Sequence, residues 1–183
     1  MAKAVRRVCF IRAIGPATHK VMGLADLCEA FAVQGLSDAK SLLNTGNLFF
    51  TSNASAKSCK AKAKAAAAIK SFGLELDVFV RDLDEMTKAV KANPYPKAAE
   101  ARPHHMVAVF FDDALSPALI TTLEQHKGPE LVKVIGNTVY VDYLDGIGTS
   151  KFAPGVIERR LKARGTARNW NTILKSLALL QPE

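Results

Sequence analysis

The stretch Val5-Arg6-Arg7-Val8-Cys9-Phe10-Ile11-Arg12 decides the fold, because it reads as a strand with a nearly continuous apolar run. No polar residue interrupts the segment Val8-Cys9-Phe10-Ile11. A strand with one solvent-exposed face would alternate apolar and polar residues, whereas an unbroken apolar run predicts a strand that is buried on both faces. We therefore expect a central strand here, with later strands paired to it.

The elements that follow alternate between helix and strand. Leu24, Leu27, Cys28 and Phe31 have the spacing of one helix face, and a second helix is alanine-rich, with Ala61, Ala65 and Ala68 on one face. The order is β-α-β-β-α-β, the split βαβ or ferredoxin-like arrangement. The predicted elements after the first strand are a helix ending at Gly35, strands Ala39–Leu43 and Leu48–Thr51, a helix over Ala56–Phe72 and a strand over Leu76–Arg81.

Two signals lie between the halves of the chain. Asp82 with Glu85 three residues later predicts a capping box at the start of a helix. Asn93-Pro94-Tyr95-Pro96 predicts its end, because proline excludes the α region from the residue before it. Pro94–Pro103 is predicted to be a linker.

The second half repeats this order as β-α-β-β-α followed by a terminal helix. We predict an α+β protein of two ferredoxin-like (split βαβ) halves with antiparallel sheets, plus C-terminal helices. The halves are residues 1–81 and 104–183, joined by a helix and linker over 82–103. The predicted elements are a strand over His105–Phe111, a helix after Ser116-Pro117, a hairpin of Leu131–Ile135 and Thr138–Tyr143, and helices over Val156–Lys162 and Asn169–Leu180.

Composition narrows the class of protein. The chain has 183 residues, of which 49% are hydrophobic, so it can bury a core without a disulfide or a metal. No apolar run approaches the ~20 residues that span a bilayer, so no membrane partner is expected. The start of the chain does not resemble a signal peptide, and the three scattered cysteines favour a cytoplasmic location.

The net charge of +8 favours contact with anions, including nucleotides and nucleic acid. Many basic proteins bind no particular anion, so charge alone leaves both interpretations open.

The run Asp145-Gly146-Ile147-Gly148-Thr149-Ser150-Lys151 lies between a predicted strand and a predicted helix. Gly146 and Gly148 allow backbone N–H groups to turn toward one point, where a helix N-terminus favours negative charge. Ser150 adds a hydroxyl and Lys151 a cation. The spacing is not that of a P-loop. The alternative is a tight turn in which a hydroxyl residue caps the helix.

A second polar run is Thr166-Ala167-Arg168-Asn169-Trp170-Asn171-Thr172. Arg168, Asn169 and Asn171 can hold a planar or oxyanionic group. Trp170 falls on an apolar helical stripe and is predicted to lie in the core.

The helix between these runs carries Arg159, Arg160 and Lys162, with Arg164 just beyond. Cations near a helix C-terminus also offset the macrodipole, so a ligand is not required to explain them.

Few other residues offer chemistry. Asp145 is the one acid inside the run and is the weak candidate for a general base. Side chains of the adjacent His104 and His105 diverge on a strand, and His19 and His126 stand alone. No metal site is predicted, and the sequence assigns no cofactor.

Four segments together resemble a bacterial family, the domain of unknown function 1697 (DUF1697). The resemblance extends over nearly the whole chain and implies a two-part, ferredoxin-like α+β fold. It implies no activity, substrate or cofactor. The segments are Asn44-Thr45-Gly46-Asn47-Leu48-Phe49-Phe50, Ala92-Asn93-Pro94-Tyr95-Pro96 and the two polar runs.

The loop after the first strand departs from the family. The family reads Arg-Gly-Ile-Asn-Val-Gly-Gly there, whereas this chain reads Arg12-Ala13-Ile14-Gly15-Pro16-Ala17-Thr18. If that loop completes a pocket, this member binds something different or binds it weakly. Arg12 and Asn47 complete the predicted set of ligand-binding residues.

Three hypotheses for function follow. The first is a protein that binds a phosphate-bearing ligand, either a nucleotide or nucleic acid. The second is an interaction module whose polar runs only fix loops, and the last is a small-molecule enzyme with Asp145 as base. The first requires Lys151 and Arg168 to face one shared hollow.

Overall fold

A computed structural model describes residues 3–12, 23–43, 46–70 and 76–182. Residues 13–18 of the altered loop, the Asn44-Thr45 part of the first family segment, and the predicted end of the second helix at Phe72 lie outside the described residues. The elements in chain order are β1 (Val5–Ile11), α1 (Leu24–Val33), β2 (Ser37–Leu42), β3 (Asn47–Ser52), α2 (Ala56–Lys70), β4 (Val78–Asp82), α3 (Leu83–Lys91), α4 (Pro96–Ala101), β5 (Met106–Phe111), α5 (Pro117–Glu124), β6 (Leu131–Ile135), β7 (Thr138–Asp142), α6 (Pro154–Leu161), β8 (Gly165–Asn169) and α7 (Trp170–Leu180).

The strands form two four-stranded antiparallel sheets, in the orders β2-β3-β1-β4 and β6-β7-β5-β8. The apolar run of β1 lies inside the first sheet, and its residues Val8 to Ile11 are at most 1% exposed. All six residues of β5 are buried in the same way at the centre of the second sheet. The predicted α+β class with two split βαβ halves and C-terminal helices is confirmed.

Tertiary contacts divide the chain into two compact units, residues 1–86 with 176–183 and residues 87–175. In the first unit, α1 and α2 pack on the face of the sheet that carries Cys9, Ile11 and Phe50. The alanine-rich helix α2 buries Cys59, Ala63, Ala66 and Ala67, and it leaves Ala61, Ala65 and Ala68 exposed.

The second unit has its main core between the sheet and helices α5 and α6. Alternate residues of β5 and β7, such as Val109 and Val141, point to these helices and pack with Leu123 and Ile157. The predicted hairpin of β6 and β7 is confirmed, with Ile135 paired to Thr138 across a two-residue turn.

The opposite face of this sheet is tied to the segment that precedes β5. The Tyr140 hydroxyl donates to the Ala89 carbonyl at 2.7 Å, and burial raises the pKa of Tyr140 to about 12. Arg102 binds both carboxylate oxygens of the buried Asp142, with Nε at 3.1 Å from Oδ1. Within the predicted linker over Pro94–Pro103, the structure forms a helix, α4.

Helix α4 forms within the predicted linker because Pro96 occupies its first turn, where the missing N–H costs nothing. The sequence signal was misleading because two prolines close together suggested an extended segment. Ala98 and Ala99 are buried on this helix.

Strand β8 was missing from the predicted order, which went directly from a helix to the terminal helix. It pairs with β5 from Val107–Asn169 to Phe111–Gly165. Glycine is needed at its start, because a Cβ on Gly165 would lie 2.8 Å from the Phe111 ring and 3.0 Å from the Phe110 carbonyl. Polar and charged residues along β8 conceal its strand pattern from the sequence.

The capping box at the start of α3 is confirmed and provides a test. The Glu85 amide donates to Asp82 at 2.9 Å, and the Asp82 amide donates to the Glu85 carboxylate at 2.9 Å. Asp82→Ala is expected to lower the free energy of unfolding by about 1 kcal/mol, measured by urea denaturation. Asp84→Ala removes the same charge from the first turn without a reciprocal cap. An equal loss in both variants would contradict a capping role.

Candidate functional site

A cavity of about 560 Å³ lies within the second unit, beside the loop that leads from β7 to α6. Residues 143–153, here called the 143–153 loop, form one wall, and the segment between α5 and β6 forms another. Helix α6 contributes Val156 and Arg160. The described lining residues are His126, Gly128, Pro129, Glu130, Tyr143, Leu144, Asp145, Gly146, Thr149, Ser150, Lys151, Phe152, Val156 and Arg160.

Turns within the 143–153 loop satisfy many of its own polar groups. Gly146 has φ +91°, a conformation that favours glycine, and its amide donates to the Tyr143 carbonyl at 2.9 Å. The Thr149 hydroxyl lies 3.1 Å from the Asp145 carbonyl and 3.0 Å from that of Gly146. Helix α6 begins only at Pro154, with Ala153 as its N-cap, so neither Thr149 nor Ser150 caps it.

A buried carboxylate joins the two walls of the cavity. Glu130 is 8% exposed. It accepts a hydrogen bond from the Ser150 hydroxyl on one oxygen, and its other oxygen lies 2.8 Å from His126 Nε2. The Ser150 oxygen in turn accepts the Phe152 amide at 2.9 Å. The polar contacts of Glu130 thus fix the loop against the segment before β6.

The same contacts keep Glu130 ionised. Burial alone raises the pKa of this carboxyl, but hydrogen bonds from Ser150 and His126 outweigh burial and leave the pKa below its ordinary value of 4.5. The carboxylate therefore carries its negative charge at neutral pH.

The His126 ring is held on both of its nitrogens and on one face. It stacks on Phe152 with centroids 3.9 Å apart and planes at 22°. Its Nδ1 lies 3.4 Å from Arg160 Nη1, and the Arg160 guanidinium carbon sits 5.1 Å from the centroid of the Phe152 ring. A guanidinium cannot accept a hydrogen bond, so these partners place the proton of a neutral His126 on Nε2, toward Glu130.

Four charged residues line the cavity. Lys151 and Arg160 are exposed cations, and Asp145 is an exposed acid. The fourth, Glu130, already has its partners in Ser150 and His126. The two cations are thus the groups best placed to meet an anion in the cavity.

The structure brings part of the first predicted run to this cavity. Asp145, Gly146, Ser150 and Lys151 line it, whereas Gly148 is in the loop but not among the described lining residues. The Gly146 amide and the Ser150 hydroxyl are engaged within the protein, so these two groups do not offer free donors.

The second predicted run is not brought to the cavity. Ala167 packs against the helix-facing core, so its neighbour Arg168 points to the other face of the sheet. Arg168 donates to the Thr166 hydroxyl at 2.8 Å and to the Ala167 carbonyl at 2.7 Å. Lys151 and Arg168 therefore do not face one hollow.

The two asparagines of this run also lie elsewhere. Asn169 accepts the Thr172 amide at 2.9 Å and caps α7, and Asn171 is exposed on that helix. Trp170 is buried, with its ring 6.4 Å from that of Tyr140, which confirms the predicted core position.

Arg12 and Asn47 belong to the first unit, and neither is among the described residues that line the cavity. Asn47 is fully buried, and its side-chain amide donates to the Leu42 carbonyl at 3.1 Å. The Arg12 amide donates to the Asp77 carbonyl at 2.9 Å, and the altered loop that follows lies outside the described residues.

Sequence reasoning missed His126, Glu130 and Arg160 as members of one site. His126 was set aside as isolated, and Arg160 was grouped with its basic neighbours. The available signal was a histidine and a glutamate on either side of Gly128-Pro129, a turn that can bring their side chains together.

Among the residues described, no group of three or more His, Cys, Asp or Glu could hold a metal ion. Likewise, none of the described helices is long and apolar enough to cross a membrane.

Gly128 tests the importance of the His126–Glu130 contact. A Cβ at this position would overlap His126 Nε2 and Glu130 Oε2. Gly128→Ala is expected to force the pair apart and to lower the free energy of unfolding by about 1–3 kcal/mol in urea denaturation. Gly148→Ala is the matched control, because a Cβ there would meet nothing within 4 Å. The interpretation fails if both alanine variants retain wild-type stability.

Glu130 also predicts a dependence of stability on pH. Since its pKa is lowered in the folded state, its contribution is fully present above the ordinary value of 4.5 and is lost as pH falls through the folded value. The stability difference between wild type and Glu130→Gln should therefore shrink between neutral pH and about pH 3. Urea titrations across this range measure it, with the exposed Glu100→Gln as control. A difference that does not change with pH would refute the assignment.

Comparisons with known proteins agree with this fold. The model of a family described as protein of unknown function (DUF1697) matches residues 5–140. This match includes the Asn44–Phe50 and Ala92–Pro96 segments and ends before the 143–153 loop.

A solved structure, that of the conserved bacterial protein SP0830 from Streptococcus pneumoniae, resembles this chain with a TM-score of 0.68 at 20% identity. The alignment covers 98% of this chain and 100% of that one, and at this identity it shows the fold alone. No curated protein matches the sequence. Because the family model matches most of its length, the chain belongs to the DUF1697 family.

Proposed function

We propose that this protein binds a small phosphate-bearing molecule, such as a nucleotide, in the cavity beside the 143–153 loop. The proposal does not use the pairing of Lys151 with Arg168 on which the sequence-based hypothesis depended. It is carried by a different pair, because two exposed cations from separate segments, Lys151 and Arg160, line one concave site. Its volume of about 560 Å³ falls in the range of small-molecule sites.

The two cations suit different parts of a phosphate contact. Arg160 presents a planar group that can bind two oxygens at once, and its position near the Phe152 ring restricts its motion. Lys151 supplies a compact positive charge from the 143–153 loop. Asp145 can accept a hydrogen bond from a hydroxyl or amino group of the same molecule.

A nucleotide suits this site better than a nucleic-acid strand. A strand is bound by cations distributed along its phosphate backbone. The lining includes only Lys151 and Arg160 as described Lys or Arg residues, and Arg168 is engaged on the other face of the sheet.

Two observations keep the interaction module as the second candidate. The polar groups of Ser150 and Asn169 are used to fix a loop and to cap a helix. Leu144 and Ile147 in the 143–153 loop are 41% and 39% exposed, which suits contact with another protein. The third candidate, an enzyme with Asp145 as base, is disfavoured because this acid is exposed instead of being shielded from water.

Calorimetric titration with inorganic phosphate, nucleoside phosphates and a single-stranded oligonucleotide tests the proposal. We expect saturable binding of a nucleotide that weakens as salt is raised. Arg160→Ala should weaken it about tenfold to hundredfold, because a charge-assisted hydrogen bond contributes about 1.5–3 kcal/mol.

Lys151→Ala should have a smaller effect, since a lysine contributes mainly as a point charge. Arg159→Ala is the matched control, because Arg159 is exposed on the same helix and is not among the described lining residues. No saturable binding at low salt, or equal effects of Arg159→Ala and Arg160→Ala, would rule the proposal out.

A further inference from the structure

We infer that His126 joins Arg160 in binding the phosphate group and does so in its protonated form, so that a dianion is bound together with the uptake of one proton. This inference rests on the proposed function, which it deepens by naming the ligand class and its link to pH. The geometry of the His126 ring carries it.

In the structure His126 makes one contact through each ring nitrogen. Nε2 lies 2.8 Å from the Glu130 carboxylate, and Nδ1 lies 3.4 Å from Arg160 Nη1. Since Arg160 can only donate, a hydrogen bond at this contact needs Nδ1 as the acceptor, and Nδ1 accepts only when the imidazole is neutral.

A proton on Nδ1 changes this contact completely. Two N–H donors, each on a cation, would then face each other with their nitrogens 3.4 Å apart. Like charges this close repel unless an anion accepts from both. A tetrahedral phosphate presents several oxygens on one side and can accept from His126 and Arg160 together. The anion thus supplies the partner that the protonated state lacks.

The surroundings of His126 support such a cation once the anion is bound. Glu130, on the segment before β6, is buried and receives Nε2, so it stabilises an imidazolium. Arg160 on α6 places a second positive charge beside this ring. The remaining charged groups that line the cavity are Lys151 and Asp145, both in the 143–153 loop and of opposite sign.

The charge of the site selects among phosphate compounds. A phosphate monoester carries a charge of about −1.5 to −2 at neutral pH. Protonated His126 and Arg160 match a dianion, whereas one phosphate of a nucleic-acid strand carries a single charge. The expected ligands are therefore free phosphate and phosphate monoesters, including nucleoside monophosphates, and not an internal phosphodiester.

Calorimetry in two buffers with different ionisation enthalpies measures the protons taken up on binding. The probes are inorganic phosphate and sulfate, because sulfate stays a dianion and any proton taken up with it must go to the protein. At about pH 8, where phosphate is also mainly a dianion, we expect net uptake of a proton with each anion bound and an affinity that falls as pH rises.

His126→Gln should weaken anion binding about tenfold and abolish the proton uptake, whereas His104→Gln, an exposed histidine outside the described lining, should change neither. Ring-proton NMR of the wild type needs no substitution and gives the same answer. Sulfate should raise the pH midpoint of one histidine, His126.

Binding without proton uptake, or an unchanged uptake in His126→Gln, would overturn this inference and leave the proposed function intact. If the wild type binds neither phosphate, sulfate nor any nucleotide at low salt, both proposals are overturned together.

Discussion

One buried carboxylate, that of Glu130, holds the cavity of the second unit together through its hydrogen bonds. An isolated carboxylate removed from water costs several kcal/mol, so Glu130 must keep its partners in the folded protein. It takes them from Ser150 in the 143–153 loop and from His126 after α5. Tyr143 also fixes the loop, because its hydroxyl donates to the Phe152 carbonyl at 2.8 Å. Burial raises the pKa of Tyr143, so this donor stays protonated.

The second sheet supports the cavity, and both of its faces are held by contacts. One face of the second sheet is packed by α5 and α6, and the other face is tied through Arg102–Asp142 and Tyr140–Ala89. The cavity forms where the chain leaves this sheet at the end of β7.

The family match ends at residue 140, so Lys151 and Arg160 lie outside it. The proposed binding chemistry therefore rests on the geometry of this chain and not on family membership.

Much of the fold was predictable because its signals are local. The uninterrupted run Val8 to Ile11 identified a central strand, and Asp82 with Glu85 identified a helix start. The errors have equally local causes. The small, uniform side chains of α2 do not mark which face is buried. Ala61, Ala65 and Ala68 were predicted to share one helix face, and in the structure all three are exposed. Helix α4 and strand β8 were missed because prolines and charges outweighed their weak periodicity.

The candidate site divides differently between sequence and tertiary structure. By itself, the sequence determined the two antiparallel sheets, the central position of β1 and the polar character of the loop after β7, since strand patterns, caps and turns depend on neighbouring residues. Only the tertiary structure decided which side chains meet. Glu130 and Ser150 are 20 residues apart, and His126 and Arg160 are 34 apart, so packing alone brings them together. The pairing of β8 with β5 turned Arg168 to the other face, because successive strand residues point in opposite directions.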